Sequence, residues 1–410
     1  DLTFLLHSSV LDRLTGDMCD FVMQQVGSAE RLQRLASSGN LLVIPLERQG
    51  IYRYHALFRE ILLARLRQGS PSEEADLRAR AIDWHLSQGE GKAAVSQAFA
   101  IGDAELAADT VIRELVSLVF RGEVATLERW VRQFPDRPQH RDDLRILLAE
   151  AWLYLLQGRR GDFERCLAEI ESLASDQPLP DTVGSPDVAV ATLHMVSSLG
   201  GIKDMMVNAR TIRESGPRSS PFWAVAWVMG GIAHHLMGLT PDIREALADG
   251  EYHSRGVAVP HAVALAQIGY GECAAGNLAE GHLLVSEAVE EVEANALQDY
   301  SMMPVVYCAL AYSESLRGAA SKSEAAASHA GALLGKVDGL VDPVHVQLRL
   351  MLAEAALARR VLPAAEAELV MIGHRLDDEP DAKLLYEWYD DLTNRIAFRS
   401  ENGLIVELTP

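Results

Sequence analysis

Histidines, cysteines and paired carboxylates are the residues of this chain that could do chemistry, and their spacing decides against most of it. His234 and His235 are neighbours; on a helix they project about 100° apart and cannot both grip one metal without a further ligand. Cys19, Cys166, Cys273 and Cys308 lie far apart, with no CxxC pair and no histidine at zinc-ligand spacing, so they read as reduced core thiols. Gly269, Gly271 and Gly276 have the composition of a dinucleotide loop, but no strand-like run precedes them and the third glycine is misplaced. They read as packing and turn glycines. Glu290 and Glu291 belong to a charged, solvated helical face. No GxxxxGK followed by Ser or Thr occurs, so nothing cradles a triphosphate. The chain is expected to be no enzyme and to hold no metal or cofactor of its own.

Binding is the chemistry that remains. Trp223, Trp227 and His234 fall on one helical face at spacings of four and seven, and Glu272, Tyr307, Glu314 and Arg349 follow in later helices. Aromatic platforms mixed with hydrogen-bonding groups suit sugars, amphipathic metabolites or peptides. The same aromatics would serve equally well as core between repeated helices.

Those side chains need elements to position them. Ala, Leu, Glu and Arg are abundant and aromatics few, at 6%, which favours helices. A formal charge of −21 opposes phosphate-backbone binding, since nucleic-acid affinity comes from Lys and Arg displacing counterions; this stretch is expected not to bind DNA by itself. No apolar run approaches the roughly 20 residues that cross a bilayer, and no signal-peptide pattern opens the chain. The reading is a cytoplasmic protein without membrane contact, and the start, in an amphipathic helical pattern without Met, reads as a piece cut from a longer protein.

Residues 1–67 change period twice. Leu2, Leu5, Leu6 and Val10 recur at helical spacing, Asp17 to Met23 gives a second helix, and Ser28 to Ser37 a third, stopped at Gly39. LLVIPL (41–46) and IYRYH (51–55), joined by ERQG, then read as a hairpin, and Leu57 to Leu66 resumes the helical period. Helices, a hairpin wing and another helix make a winged-helix domain. A break at Gly69 to Ser72 opens residues 72–139, which read as irregular helical hairpins. Residues 140–400 repeat: helices begin at Pro186, Pro221, Pro260, Pro304 and Pro343, 35 to 44 residues apart. Gly158, Gly200, Gly238, Gly276 and Gly318, with Arg360 at the next equivalent place, recur every 38 to 42. Helix, turn, helix at a period near 40 is the mark of an α-solenoid whose pairs bury their apolar faces on their neighbours. Ala149, Ala226, Ala264 and Ala311 would allow close approach within pairs. The predicted fold is all-α: a tetratricopeptide-like superhelix preceded by a small winged-helix domain with a β-hairpin, with residues 401–410 as a linker.

FLLHSSVLDRLTGDMCDFV, LVIPLERQGIYRYHALFREILLARL, AIDWHLSQGEGKAAVSQAFAIGD and RGEVATLERWVRQFP together resemble, in order and spacing, the centre of large ATP-dependent LuxR-family regulators of the MalT type, members of the STAND class. The likeness is specific over about residues 1–160 and generic beyond. Leu408, Thr409 and Pro410 look like the LTP that commonly opens a LuxR helix-turn-helix. The resemblance implies a transcriptional activator whose nucleotide-binding module, carrying ATP or ADP, precedes these residues, and whose DNA contact is made only through a following helix-turn-helix. It assigns to His55, in YRYHALFREIL, a contact with the β-phosphate of bound ADP in the complete protein; capping of the next helix or pairing within the wing is the structural alternative. It implies an inducer or regulatory partner in the superhelix, with self-oligomerisation on activation. A scaffold that binds a regulatory protein is the competing reading.

Overall fold

The computed structural model describes residues 2–37, 42–46, 50–134, 143–173, 177–336, 342–373, 375–377 and 379–407. It divides into two compact units, 1–114 and 115–410. The division falls inside one helix, whereas the sequence reading placed boundaries at 67–72 and at 139–140, the latter outside the described residues.

The first unit holds α1 (Leu2–Ser8), α2 (Gly16–Met23), α3 (Ser28–Ser37), β1 (Val43–Pro45), β2 (Tyr52–Tyr54), α4 (Ala56–Gly69), α5 (Pro71–Ser87), α6 (Gly91–Ile101) and most of α7 (Ala104–Phe120). Thr15 caps α2 by accepting the Met18 N–H, relieving one of the unpaired amides of its first turn. β1 and β2 pair antiparallel, Val43 opposite Tyr54 and Pro45 opposite Tyr52. The named strands are shorter than the predicted runs, but backbone bonds extend the pairing by one residue at each end, Leu46 N–H to the Ile51 carbonyl and His55 N–H to the Leu42 carbonyl, both at 2.9 Å. Sequence reading missed a further bridge: Leu14 and Tyr52 exchange both backbone bonds, at 2.8 and 2.9 Å. The predicted stop at Gly39 and the Glu47–Gln49 turn lie outside the described residues.

Val10, Leu11, Leu14, Met18, Val22, Leu32, Tyr54, Leu62 and Leu77 form the core of this unit. The Tyr54 hydroxyl shares a hydrogen bond with Ser8 Oγ at 2.7 Å, meeting the requirement that a buried phenol find a partner. A buried polar chain ties α5 and α6 to the α1–α2 loop: Arg78 donates to Glu74 (2.9 Å) and Gln97 (2.6 Å), and Gln97 donates to the Val10 carbonyl (2.9 Å). Burial pushes the Glu74 carboxyl up, but the Arg67 and Arg78 guanidiniums more than offset it and hold it below its ordinary value.

In the second unit, after α8 (Val124–Val131), helices run in pairs. They are α9 (Leu144–Leu156) with α10 (Arg160–Ser172), α11 (Pro186–Ser197) with α12 (Gly201–Ser215), and α13 (Pro221–Leu236) with α14 (Ile243–Ser254). Then come α15 (Ala258–Ala274) with α16 (Leu278–Ala294), α17 (Pro304–Leu316) with α18 (Ala320–Leu334), and α19 (Asp342–Ala358) with α20 (Leu362–Ile372). α21 (Lys383–Glu407) follows and continues into the stretch read as a linker from 401; Leu408, Thr409 and Pro410 lie outside the described residues. Ser185 and Ser220 accept amide bonds from Val188 and Phe222, and Pro186 and Pro221 fill the first helical position, where a missing N–H costs nothing. Gly158, Gly238, Gly276 and Gly318 take positive φ within their pairs, and Arg360 takes the same left-handed conformation at φ 64°. In the α11–α12 turn positive φ falls on Ser198, at 51°, and on Gly201, not on Gly200.

Ala149, Ala226, Ala264 and Ala311 are completely buried. The superhelix winds tightly enough that α19, α20 and α21 share one apolar core with α11, α12, α13 and α15. Two polar contacts fasten that closure. Gln267 on α15 and Gln347 on α19 donate to each other's carbonyl oxygens at 3.0 and 2.8 Å. Glu379 accepts the Ile202 amide at the start of α12 at 3.0 Å, a favourable place for a carboxylate.

Candidate functional site

α13 is apolar nearly all round, and its two faces do different work. Phe222, Val225, Val228, Met229 and Ile232 face inward and wall a cavity of about 130 Å³. Trp223, Trp227 and His234 lie roughly half a turn away around the same helix.

The cavity is assembled from the inner faces of successive helices. Phe120 ends α7, and its ring meets Phe222 edge-on at 5.0 Å; Trp152 of α9 stacks on Phe222 at 4.9 Å and 22°. Val259, Val263 and Gln267 recur every four residues along one face of α15; Val344, His345 and Leu348 come from α19, and Val305 from α17. The turn before α17 supplies Tyr300, Ser301 and Met302. Gly122 has φ +65°, and a Cβ there would come within 3.1 Å of the Tyr300 ring, so the α7–α8 turn needs glycine both for its backbone and for this approach. Burial holds the Tyr300 phenol well above its ordinary pKa, so it stays neutral.

Few polar groups reach this wall. Gln267 spends both ends of its amide on Gln347. His345 Nε2 accepts from Arg349 Nε at 3.1 Å, which puts the ring proton on Nδ1 in the neutral form. Ser301 is 5% exposed, and among the described residues its Oγ has no hydrogen-bond partner.

The seven residues proposed from sequence for the groove do not gather around this cavity. Trp223 and Trp227 pack between α12 and α14, each against the His253 ring, at 4.9 and 4.7 Å. Trp223 Nε1 donates to the Arg213 carbonyl at 3.2 Å, and the Arg213 guanidinium lies 4.8 Å from the Trp227 ring centre. His234 is half-buried near the end of α13. Glu272 sits at the α15–α16 elbow, bonded to Asn277 and Arg244, which hold its carboxyl below the ordinary value. Tyr307 meets His329 of α18 edge-on at 4.4 Å, and Glu314 pairs with Arg317 at 3.5 Å. Arg349 pairs with Glu368 of α20 at 2.9 Å; of the seven, it alone bonds to a cavity residue, through His345. Sequence reasoning missed Phe222, Val225, Met229 and Ile232, whose i, i+3, i+7, i+10 spacing was the available signal.

His55 immediately precedes α4 and is exposed, and its side chain makes no cap bond. Its backbone N–H donates to Leu42 at 2.9 Å. The four cysteines are free and buried, and burial raises the Cys19 thiol to about 12. Among the described residues no group of three or more His, Cys, Asp or Glu could hold a metal, and no helix is long and apolar enough to cross a membrane.

Comparison with known proteins places this architecture. The family described as the MalT winged helix domain matches residues 1–74. Residues 1–74 are therefore similar to the MalT winged helix. The HTH-type transcriptional regulator AlkS of Pseudomonas putida is 26% identical over 168 residues, 41% of this chain and 19% of AlkS. The serine/threonine-protein kinase PknK of Mycobacterium tuberculosis is 27% identical over 178 residues, 43% of the chain and 16% of PknK. The aligned stretch thus spans less than a fifth of these relatives' length. The crystal structure of the STAND protein PH0952 from Pyrococcus horikoshii, with a tetratricopeptide repeat sensor, superposes with a TM-score of 0.55 at 15% identity, covering 99% of this chain and 64% of that one. The shared fold is a winged helix followed by tetratricopeptide-like pairs.

Proposed function

We propose that residues 115–410 are the sensory part of a transcriptional regulator and that a compact, apolar small molecule in the cavity is the signal. The observation that carries this reading is the make-up of the wall, in which side chains scattered from Val119 to Leu348 converge. A ligand there touches most repeats at once, and in a stack whose winding is set by contacts between repeats this gives it leverage on the winding. The leverage needs only that the signal bind one winding more tightly than the other, since equal affinity shifts nothing. A cavity of roughly this size lined by aliphatic and aromatic side chains accommodates benzene. A scaffold that captures a partner's helix or strand would instead need an open groove, so the sensor reading is preferred.

For the complete protein, the family likeness supports a nucleotide-binding module that carries ATP or ADP against His55, DNA contact through a helix-turn-helix, and self-assembly on activation. Within the 410 residues the role is binding and coupling.

The test is thermal unfolding of the 410-residue chain with benzene or benzoate. Benzene is expected to raise the transition of the repeat unit as mass action requires, while benzoate, whose charge finds no counter-ion in an apolar wall, leaves it unmoved. Equal shifts from both, or none from benzene, would contradict the reading.

A further inference from the structure

We infer that His261 is a proton-dependent staple between neighbouring helical pairs. As an imidazolium it bonds Glu291 of α16 through Nδ1 and faces Glu251 of α14 through Nε2, and on losing its proton it releases one of them. The inference does not depend on what the cavity receives. His261 lies in the first turn of α15, beside a cleft lined by Leu265, Ile268 and Leu284. Its Nδ1 stands 2.6 Å from Glu291 Oε2 and its Nε2 3.6 Å from Glu251 Oε1. α16 is the partner of α15 within one pair, whereas α14 belongs to the pair before, so one ring spans the joint between two repeats.

A neutral imidazole has one N–H, and its other nitrogen offers a lone pair. Carboxylates facing both nitrogens therefore suit the doubly protonated ring, in which each N–H points at an anion. In the neutral form one carboxylate meets a lone pair instead. All three side chains are only about a fifth exposed, so water screens the attraction only in part. The surrounding charges leave the ring to these two partners. From α14, Arg255 at its end is bonded to Glu251 at 2.8 and 3.0 Å, and Arg244 is paired with Glu272 and Glu280. From α16, Glu287 lines the same cleft and adds negative charge. α13 and α17 carry charged or basic side chains only at His234, His235 and Glu314, in their last turns. The bond to Glu291 holds the imidazole above its ordinary pKa against the opposing effect of burial, and Glu251 adds to the rise. The tie is thus at full strength below the ordinary histidine value of about 6.5, and its stabilisation is lost as pH rises through the raised folded value. Val259 and Val263, two residues to either side, line the cavity, so the staple holds the stretch of α15 on which that wall is built.

NMR of the histidine-labelled 410-residue chain reads the titration, with the His261 signal identified by its loss in His261→Gln. Its midpoint is expected above about 6.5 and to fall in Glu251→Gln and in Glu291→Gln alike. Thermal unfolding of wild type and His261→Gln from about pH 6 to about pH 8.5 reads the tie itself. The wild type is expected to melt higher at the acid end and the two to converge at the alkaline end, where glutamine matches the single neutral hydrogen bond that remains. A midpoint that responds to Glu291→Gln alone would overturn the span between pairs. A melting difference that is absent, constant or larger at high pH would overturn the proton dependence.

Discussion

Trp223 and Trp227 carry the clearest lesson at the scale of the residue. Their spacing correctly put them on one face of α13, but spacing cannot say which face of a helix apolar all round looks inward. In a stack of pairs each first helix buries one side on its partner and neighbours and another on the lumen. The large aromatics took the first side, with His253 and Arg213, and Phe222, Val225 and Met229 took the second. Trp227→Ala is accordingly expected to lower the unfolding free energy of the repeat unit, toward the lower end of the roughly 3–5 kcal/mol seen for truncated core aromatics because the residue is only half-buried. Denaturant titration measures this, and benzene affinity measured under native conditions should be unchanged. Preserved stability with lost binding would instead return the stripe to the ligand site.

The repeat was legible at the scale of the element because its two punctuation marks have independent physical causes. Proline suits the first turn of a helix and positive φ suits the residue that ends one. Arg360, with no glycine to announce it, was placed by phase alone and takes φ 64°. The strands were less legible, since Leu14 joins β2 from a loop between two helices and no alternation marks it. The turns make a matched prediction. Gly276 has φ +92°, and a Cβ there meets nothing within 4 Å, so Gly276→Ala acts through backbone strain alone and should destabilise by about 1 kcal/mol. Arg360 is exposed, and Arg360→Gly should relieve the same strain and stabilise by roughly 0.5–1 kcal/mol. Paired chemical denaturation decides both, and the same sign for the two would contradict the assignment of these residues as equivalent turns.

At the scale of the whole molecule, the likeness of residues 1–74 to the MalT winged helix was readable from order and spacing of short stretches, because a winged helix demands specific turns. The cavity was not, because its wall is a sum over repeats whose curvature no single repeat specifies. Its closure depends on contacts far apart in sequence, such as Gln267 with Gln347 and Glu379 with the start of α12. The first joins two helices that wall the cavity, and the second ties the segment before α21 to α12, which shares a core with the wall helix α13; under the proposed function this is the route by which occupancy would reach α21. The central claim, that the cavity is the receptor, is tested most directly by filling it. Val225 lines the cavity and is only partly buried, so Val225→Phe can place a ring in the space a ligand would take. Calorimetric titration with benzene should give one site on the wild-type chain, with the negative heat-capacity change of apolar burial, and none on a Val225→Phe chain that still melts as wild type does. Benzene binding to that folded variant with wild-type affinity would contradict the account.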